Sequence, residues 1–278
     1  MPAKTILSVI GVDHSDEDLF AAAEVARQSG AHLDVAVISC VPPPPIGDLV
    51  GQTYSTYAFA WQEENDRVNA RAAELQELLS RRGFEGNVQP VYCLNENVDE
   101  EVAMRATYAD VTLIGAKMLK DGYLLKRILD GALFDSPAPV VLASGNQRVN
   151  LAPKTVLVGW NSKLEAGAAV RQSLDILVQA ENVHVVIVDP NAKPGDMGEE
   201  PGADVATFLS RHGVKVTVET LASGGRDPAL VLQRHAKDIG AELIVMGAYG
   251  HSRMRERFFG GTTHTMLSHV DTPVLMAR

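Results

Sequence analysis

Short apolar runs alternate with longer amphipathic stretches along most of the chain. In the second half the runs fall at about 154–159, 183–188, 214–220, 242–246 and 273–277, and each reads as a strand. Between them the apolar period lengthens to that of a helix. Ser162 and Glu165 have the spacing of a capping box, and Val170, Leu174, Leu177 and Val178 then share one face. Asp227 followed by Pro228 predicts another helix start, with the acid as cap and proline at the first helical position. The first half repeats the pattern: Ser15 is the expected cap, Ala22, Val25 and Ala26 share a helix face, and the second connection is longer. Alternating β and α segments with continuously apolar strands predict a parallel sheet covered on both faces, a doubly wound α/β fold.

The pattern is written twice. Lys4 and Lys154 each lead a strand that runs into a polar corner, holding Asp13 and Ser15 in one case, Asn161 and Ser162 in the other. The run ending at Gly115 matches the run ending at Gly247, and each half closes on a Pro-Val strand, at 139–142 and 273–276. Four matched segments in one order imply duplication. A length of 278 residues suits two such domains, each able to bury a core. The polar stretch 144–153, with its Gly and Pro, separates a domain at 1–146 from one at 152–278.

Composition narrows the classes. A formal net charge of −10 argues against nonspecific nucleic-acid binding, which depends on neutralising phosphates. No run approaches the roughly 18 apolar residues of a membrane span, and the first residues enter a strand without a leader's three regions. Cys40 and Cys93 lie in strand-like runs and read as buried thiols of a reducing cytoplasm rather than as a structural disulfide.

The most distinctive chemistry follows the apolar run 243–246. Gly247, Gly250, Gly260 and Gly261 punctuate a loop carrying His251, Arg253, Arg255 and Arg257, and Thr262 and Thr263 lead into a helix. Glycine lets backbone approach a ligand closely, and the free amides of a helix start favour an anion. A solvated basic loop is the plainer reading. The spacing of Gly247, Gly250 and Gly260 resembles the nucleotide-binding signature of the universal stress protein family, and the resemblance extends over the chain as a tandem pair. It implies two five-stranded sheets of the adenine nucleotide alpha hydrolase-like type, with ATP, with or without Mg2+, across the crevice at the strand ends. On matched positions it implies Gly159 and Asn161 at the base, Val188 packed nearby, and Gly247, Gly250, Gly260, Gly261 and Thr262 at ribose and phosphates. His251 and Arg253 lie within the same loop. Asn161 replaces the usual Asp but keeps an acceptor oxygen for adenine's amino group. Gly261 stands where the family commonly has Ser or Thr, so Thr262 is the candidate hydroxyl. Trp160 and Tyr249 either shield the base or pack at the surface. The resemblance also implies pairing of the final strands, here 139–142 and 273–276, as an intramolecular pseudo-dimer, with homodimerisation through another surface left open.

The first half departs from the signature. Asp13 keeps the adenine corner, with Val41 near the base, but Met118 stands in the place of Gly250, its side chain expected to project toward the phosphates, and Gly131 is out of step. That half reads as degenerate for ATP, with a structural role or a different ligand. Residues 223–227 resemble the pyrophosphatase loop of amidating enzymes but follow the third strand and continue into Pro228, so a helix cap explains them. Walker-type and nucleophile-elbow motifs are missing, the eight histidines show no metal spacing, and no side chain presents itself as a water positioner for hydrolysis. The sequence therefore points to an ATP-binding stress-response or regulatory protein working with unidentified protein partners. A slow ATPase and a scaffold that has lost its ligand are the alternatives.

Overall fold

The computed structural model describes residues 3–44, 50–143, 148–190, 202–249 and 261–278. Two compact units divide between Pro137 and Ala138.

The first unit runs β1 (Thr5–Gly11), α1 (Glu17–Ser29), β2 (His32–Val41), α2 (Val50–Arg81), β3 (Asn87–Leu94), α3 (Val98–Ala106), β4 (Val111–Ile114) and α4 (Gly122–Phe134). Its strands lie in the order β3-β2-β1-β4, all pairs parallel. Ile6, Val9, Leu33 and Val37 in the sheet and Leu19, Leu75 and Leu79 on the helices are almost fully buried. Helix α1 stops where Gly30 takes a left-handed φ of 62° and returns its amide to the last turn. Ala22, Val25 and Ala26 are buried as expected, but the cap position falls on Asp16 rather than Ser15 and makes no side-chain cap.

The second unit contains β5 (Val140–Leu142), β6 (Thr155–Gly159), α5 (Leu164–Gln172), α6 (Leu174–Gln179), β7 (Asn182–Val188), α7 (Ala203–Arg211), β8 (Val216–Leu221), α8 (Pro228–Asp238), β9 (Leu243–Gly247), α9 (Gly261–Ser268) and β10 (Val274–Ala277). Its strand order is β5-β10-β9-β6-β7-β8. All pairs are parallel except β5 with β10, which run antiparallel with Leu142 opposite Val274 and Val140 opposite Met276. The final strands of the two sequence halves therefore lie side by side. Both are fully buried, as two apolar edges covering each other should be.

The duplication is visible in contacts. Asp110 accepts hydrogen bonds from the amides of Lys4 and Thr5 at 2.6 and 2.9 Å, and Glu242 accepts one from Lys154 at 3.2 Å. In each half an acid before the fourth strand anchors the start of the first. Asp227 caps α8 through the amide of Ala229 at 2.8 Å, with Pro228 in the first turn. The expected long helix after β6 is instead broken at Ser173. Its hydroxyl bonds back to Ala169 O at 2.7 Å and draws the backbone away from helical geometry. Val178, beyond the break, is left exposed.

Candidate functional site

In the second unit β6 lies between β7 and β9, so the strand order reverses beside it and a crevice opens at the carboxyl ends. A cavity of about 320 Å³ occupies that position. Its lining brings together Gly159, Trp160 and Asn161 after β6, Val186 and Val188 of β7, Leu232 of α8, Met246, Gly247 and Tyr249 of β9 and its corner, and Gly261, Thr262 and Thr263 of α9. The sequence separates these residues by about a hundred positions; the parallel crossovers gather them. Gly250, His251, Arg253 and Gly260 lie outside the described residues.

The lining combines apolar side chains (Ala166, Val186, Val188, Leu232, Met246) with polar ones (Asn161, Lys163, Thr262, Thr263). That mixture suits a flat, partly hydrophobic ring joined to a polar group. Among the described residues, Lys163 and Glu165 are the charged side chains of the lining. The first-turn amides of α9 have no partner within the helix and begin at the cavity edge.

Asn161 is held rather than free. Its Oδ1 accepts from the Lys163 amide at 3.1 Å, and its Nδ2 donates to Glu165 at 3.4 Å. The oxygen retains a second lone pair for a donor in the cavity. This turn replaces the expected capping box. Ser162 adopts a left-handed φ of 59°, so its hydroxyl caps nothing, and α5 begins only at Leu164.

Ser162 belongs to a pattern. Among the described residues, the non-glycine positions with positive φ are Ser162, Asp189 and Tyr249. They follow β6, β7 and β9 respectively, one at each corner around the cavity. Left-handed backbone costs a side-chain-bearing residue about 1 kcal/mol or more and gathers at functional sites. The Asp189 carboxylate fixes its corner by accepting from the Ser223 amide at 2.9 Å, and the hydrogen bonding from Ser223 holds its pKa below the usual value.

The glycines divide by role. A side chain on Gly247 would stand 2.5 Å from the Ala166 amide and the Glu165 carbonyl carbon, so its bareness admits the start of α5. On Gly261 the nearest atom would be Asp227 Oδ2 at 3.7 Å, which leaves ordinary room.

The first unit fills the corresponding places with its own side chains. The buried carboxylate of Asp18 accepts from the amides of Lys117 (3.0 Å) and Met118 (3.1 Å) in the loop after β4. Asp121 takes the helix start, accepting from the amides of Tyr123 (3.2 Å) and Leu124 (3.0 Å), and its other oxygen lies 3.2 Å from His14 Nε2. Asp13 is engaged by Arg67 of α2. Met118 does not project toward a ligand; it is fully buried. Gly131 lies against the Asp99 carbonyl and serves the contact of α4 with α3. Two of these carboxylates, Asp18 and Asp121, carry no sequence signal that connects them to this loop.

Comparison with known proteins agrees with this architecture. The universal stress protein family profile matches residues 153–278. That half of the chain is thus similar to the universal stress protein family. A universal stress protein of Synechocystis is 40% identical over 70 residues, covering 25% of this chain and 23% of that protein. Universal stress protein YxiE of Bacillus subtilis is 36% identical over 63 residues, covering 23% and 42% respectively. The matched stretches thus span less than half the length of either relative. A universal stress protein structure from Archaeoglobus fulgidus covers 98% of this chain and 96% of its own, with a TM-score of 0.61 and 16% identity, which extends the fold to the first half. Among the described residues, no helix is long and apolar enough to cross a membrane.

Proposed function

We propose that the second unit binds an adenine nucleotide, ATP foremost, and that the chain acts as a nucleotide-responsive stress or regulatory protein of the cytoplasm. The observation that carries this reading is the cavity at the β6–β9 switch point. Gly159, Asn161, Val188, Gly247, Gly261 and Thr262, all chosen from sequence for nucleotide contact, line it. The base lies against Val186, Val188 and Leu232, with Asn161 supplying an acceptor for the exocyclic amine. The ribose and phosphates run toward Gly247 and the amides at the start of α9, where helix polarity favours negative charge. The first unit, its loop amides already holding Asp18 and its helix start holding Asp121, contributes no second nucleotide site.

Binding without turnover is the favoured outcome. Transfer of the γ-phosphoryl group needs a positioned water and charge stabilisation, and the carboxylate and amide of the described lining, Glu165 and Asn161, lie within reach of each other at 3.4 Å. The test is mass spectrometry of small molecules released from natively purified chain, followed by calorimetry with ATP, ADP and AMP with and without Mg2+. Recovery of an adenine nucleotide and saturable binding support the reading. A chain that carries none and binds none refutes it, and phosphate release above the buffer rate would move it to the slow ATPase.

A further inference from the structure

The chain has only two cysteines, and they are register partners: Cys40 of β2 lies opposite Cys93 of β3 in a parallel pair. Opposed residues of parallel strands point to the same face, with strands about 4.8 Å apart. That spacing falls inside the roughly 4.4–6.8 Å that a disulfide allows between Cα atoms. Both cysteines are free thiols. Cys93 is buried at 7% exposure, whereas Cys40, at the strand end, is half-buried and reached by solvent.

We propose that Cys40 and Cys93 form an oxidisable dithiol, a site of reversible disulfide modification in the first unit, with hydrogen peroxide as the oxidant. Cys40 reacts first because solvent reaches it. Its thiol gives up a proton, and the sulfur attacks a peroxide oxygen, breaking the O–O bond. The products are a Cys40 sulfenic acid and hydroxide, which takes up the proton as water. The Cys93 sulfur then attacks the Cys40 sulfur, the S–O bond breaks, and the hydroxyl leaves with the Cys93 proton as a second water. Two thiols lose two electrons and two protons, and one peroxide is reduced to two waters.

The surroundings set the pace. Burial, then the charge of Asp121 and Glu64, raises the pKa of Cys40; burial and the neighbouring Cys40 push Cys93 up to about 12. The thiolate is the attacking form, so the pair reacts slowly at neutral pH and faster as pH rises. It therefore answers sustained rather than fleeting oxidant. In a reducing compartment such bridges are transient and serve sensing. The bridge would tie β3 to β2 and close a covalent loop around α2.

The reduced, desalted chain is treated with hydrogen peroxide and analysed by intact mass and non-reducing peptide mapping. The expected result is loss of two hydrogen masses, a linked peptide joining Cys40 to Cys93, resistance of both to iodoacetamide, and reversal by dithiothreitol. Cys93→Ser should leave a dimedone-reactive sulfenic acid on Cys40, and Cys40→Ser should abolish the mass loss. Oxidation of Cys40 to sulfinic acid while Cys93 stays alkylatable would overturn the proposal. So would cross-linking only between chains, or two thiols that remain alkylatable throughout.

Discussion

The carboxylate of Asp18 lies against Gly115, in the space a side chain at that position would need. From there it holds the amides of Lys117 and Met118. Gly115→Ala should expel this acid and leave both amides without their partner, at a cost of about 2–3 kcal/mol. Thermal unfolding of the variant would read this as a lower first transition. An unchanged melting temperature would mean that Asp18 swings aside freely.

Because Asp18 and Asp121 occupy the first unit's amides, one ATP per chain is expected, at about micromolar affinity, or roughly −8 kcal/mol. Calorimetry resolving two equivalent sites would contradict the role given to those carboxylates.

Asn161 both lines the cavity and ties the corner through Lys163. Asn161→Ala should weaken ATP binding about tenfold, or ~1.4 kcal/mol, while Asn161→Asp keeps the acceptor and most of the affinity. Equal affinities for all three chains would move the base elsewhere in the cavity.

Among the described residues the buried Tyr92 hydroxyl finds no hydrogen-bond partner, and its ring stands edge-on to Trp61 at 4.5 Å. Burial pushes its pKa up to about 12. Tyr92→Phe removes an unsatisfied polar atom and keeps the ring contact, so stability should rise or stay level, within about 1 kcal/mol. A clear fall in chemical-denaturation midpoint would reveal a partner for the hydroxyl.

Asp189 has a folded pKa below its ordinary value of 3.8 because Ser223 bonds its charged form. Its contribution is therefore complete above the unfolded pKa and is lost as pH falls through the folded one. Asp189→Asn should lower the second unit's stability above about pH 4, where the carboxylate is charged, and converge with the parent chain at lower pH, so that the acid limb flattens. Parallel acid titrations of melting temperature for the two chains decide this.

Much of the fold was legible because apolar runs and a repeated lysine-led strand are local signals. The second half's strands begin and end within about two residues of their expected places, and Asp227-Pro228 behaves as a cap. What escaped was geometry that only packing creates. A capping-box spacing at Ser162 and Glu165 could not announce that Ser162 would turn left-handed and leave Asn161 to close the corner on the Lys163 amide. Met118 aligned with a glycine, which suggested obstruction, whereas the fold buries it and sends Asp18 from a distant helix to the same loop. The histidines looked scattered, yet His184 and His235 converge on Glu219 at 2.6 and 3.1 Å, on three different elements. Spacing along a chain carries no trace of such meetings.

The antiparallel pairing of β5 with β10 also sets a timetable. During synthesis β5 emerges roughly 130 residues before the strand that covers it, and so distant a contact forms slowly. For that interval an apolar strand edge waits beside a growing polypeptide, open to whatever else can add a strand. A nascent chain halted before Val274 would keep that edge bare, so the step most exposed to misassembly waits for the second unit's last strand rather than for its first.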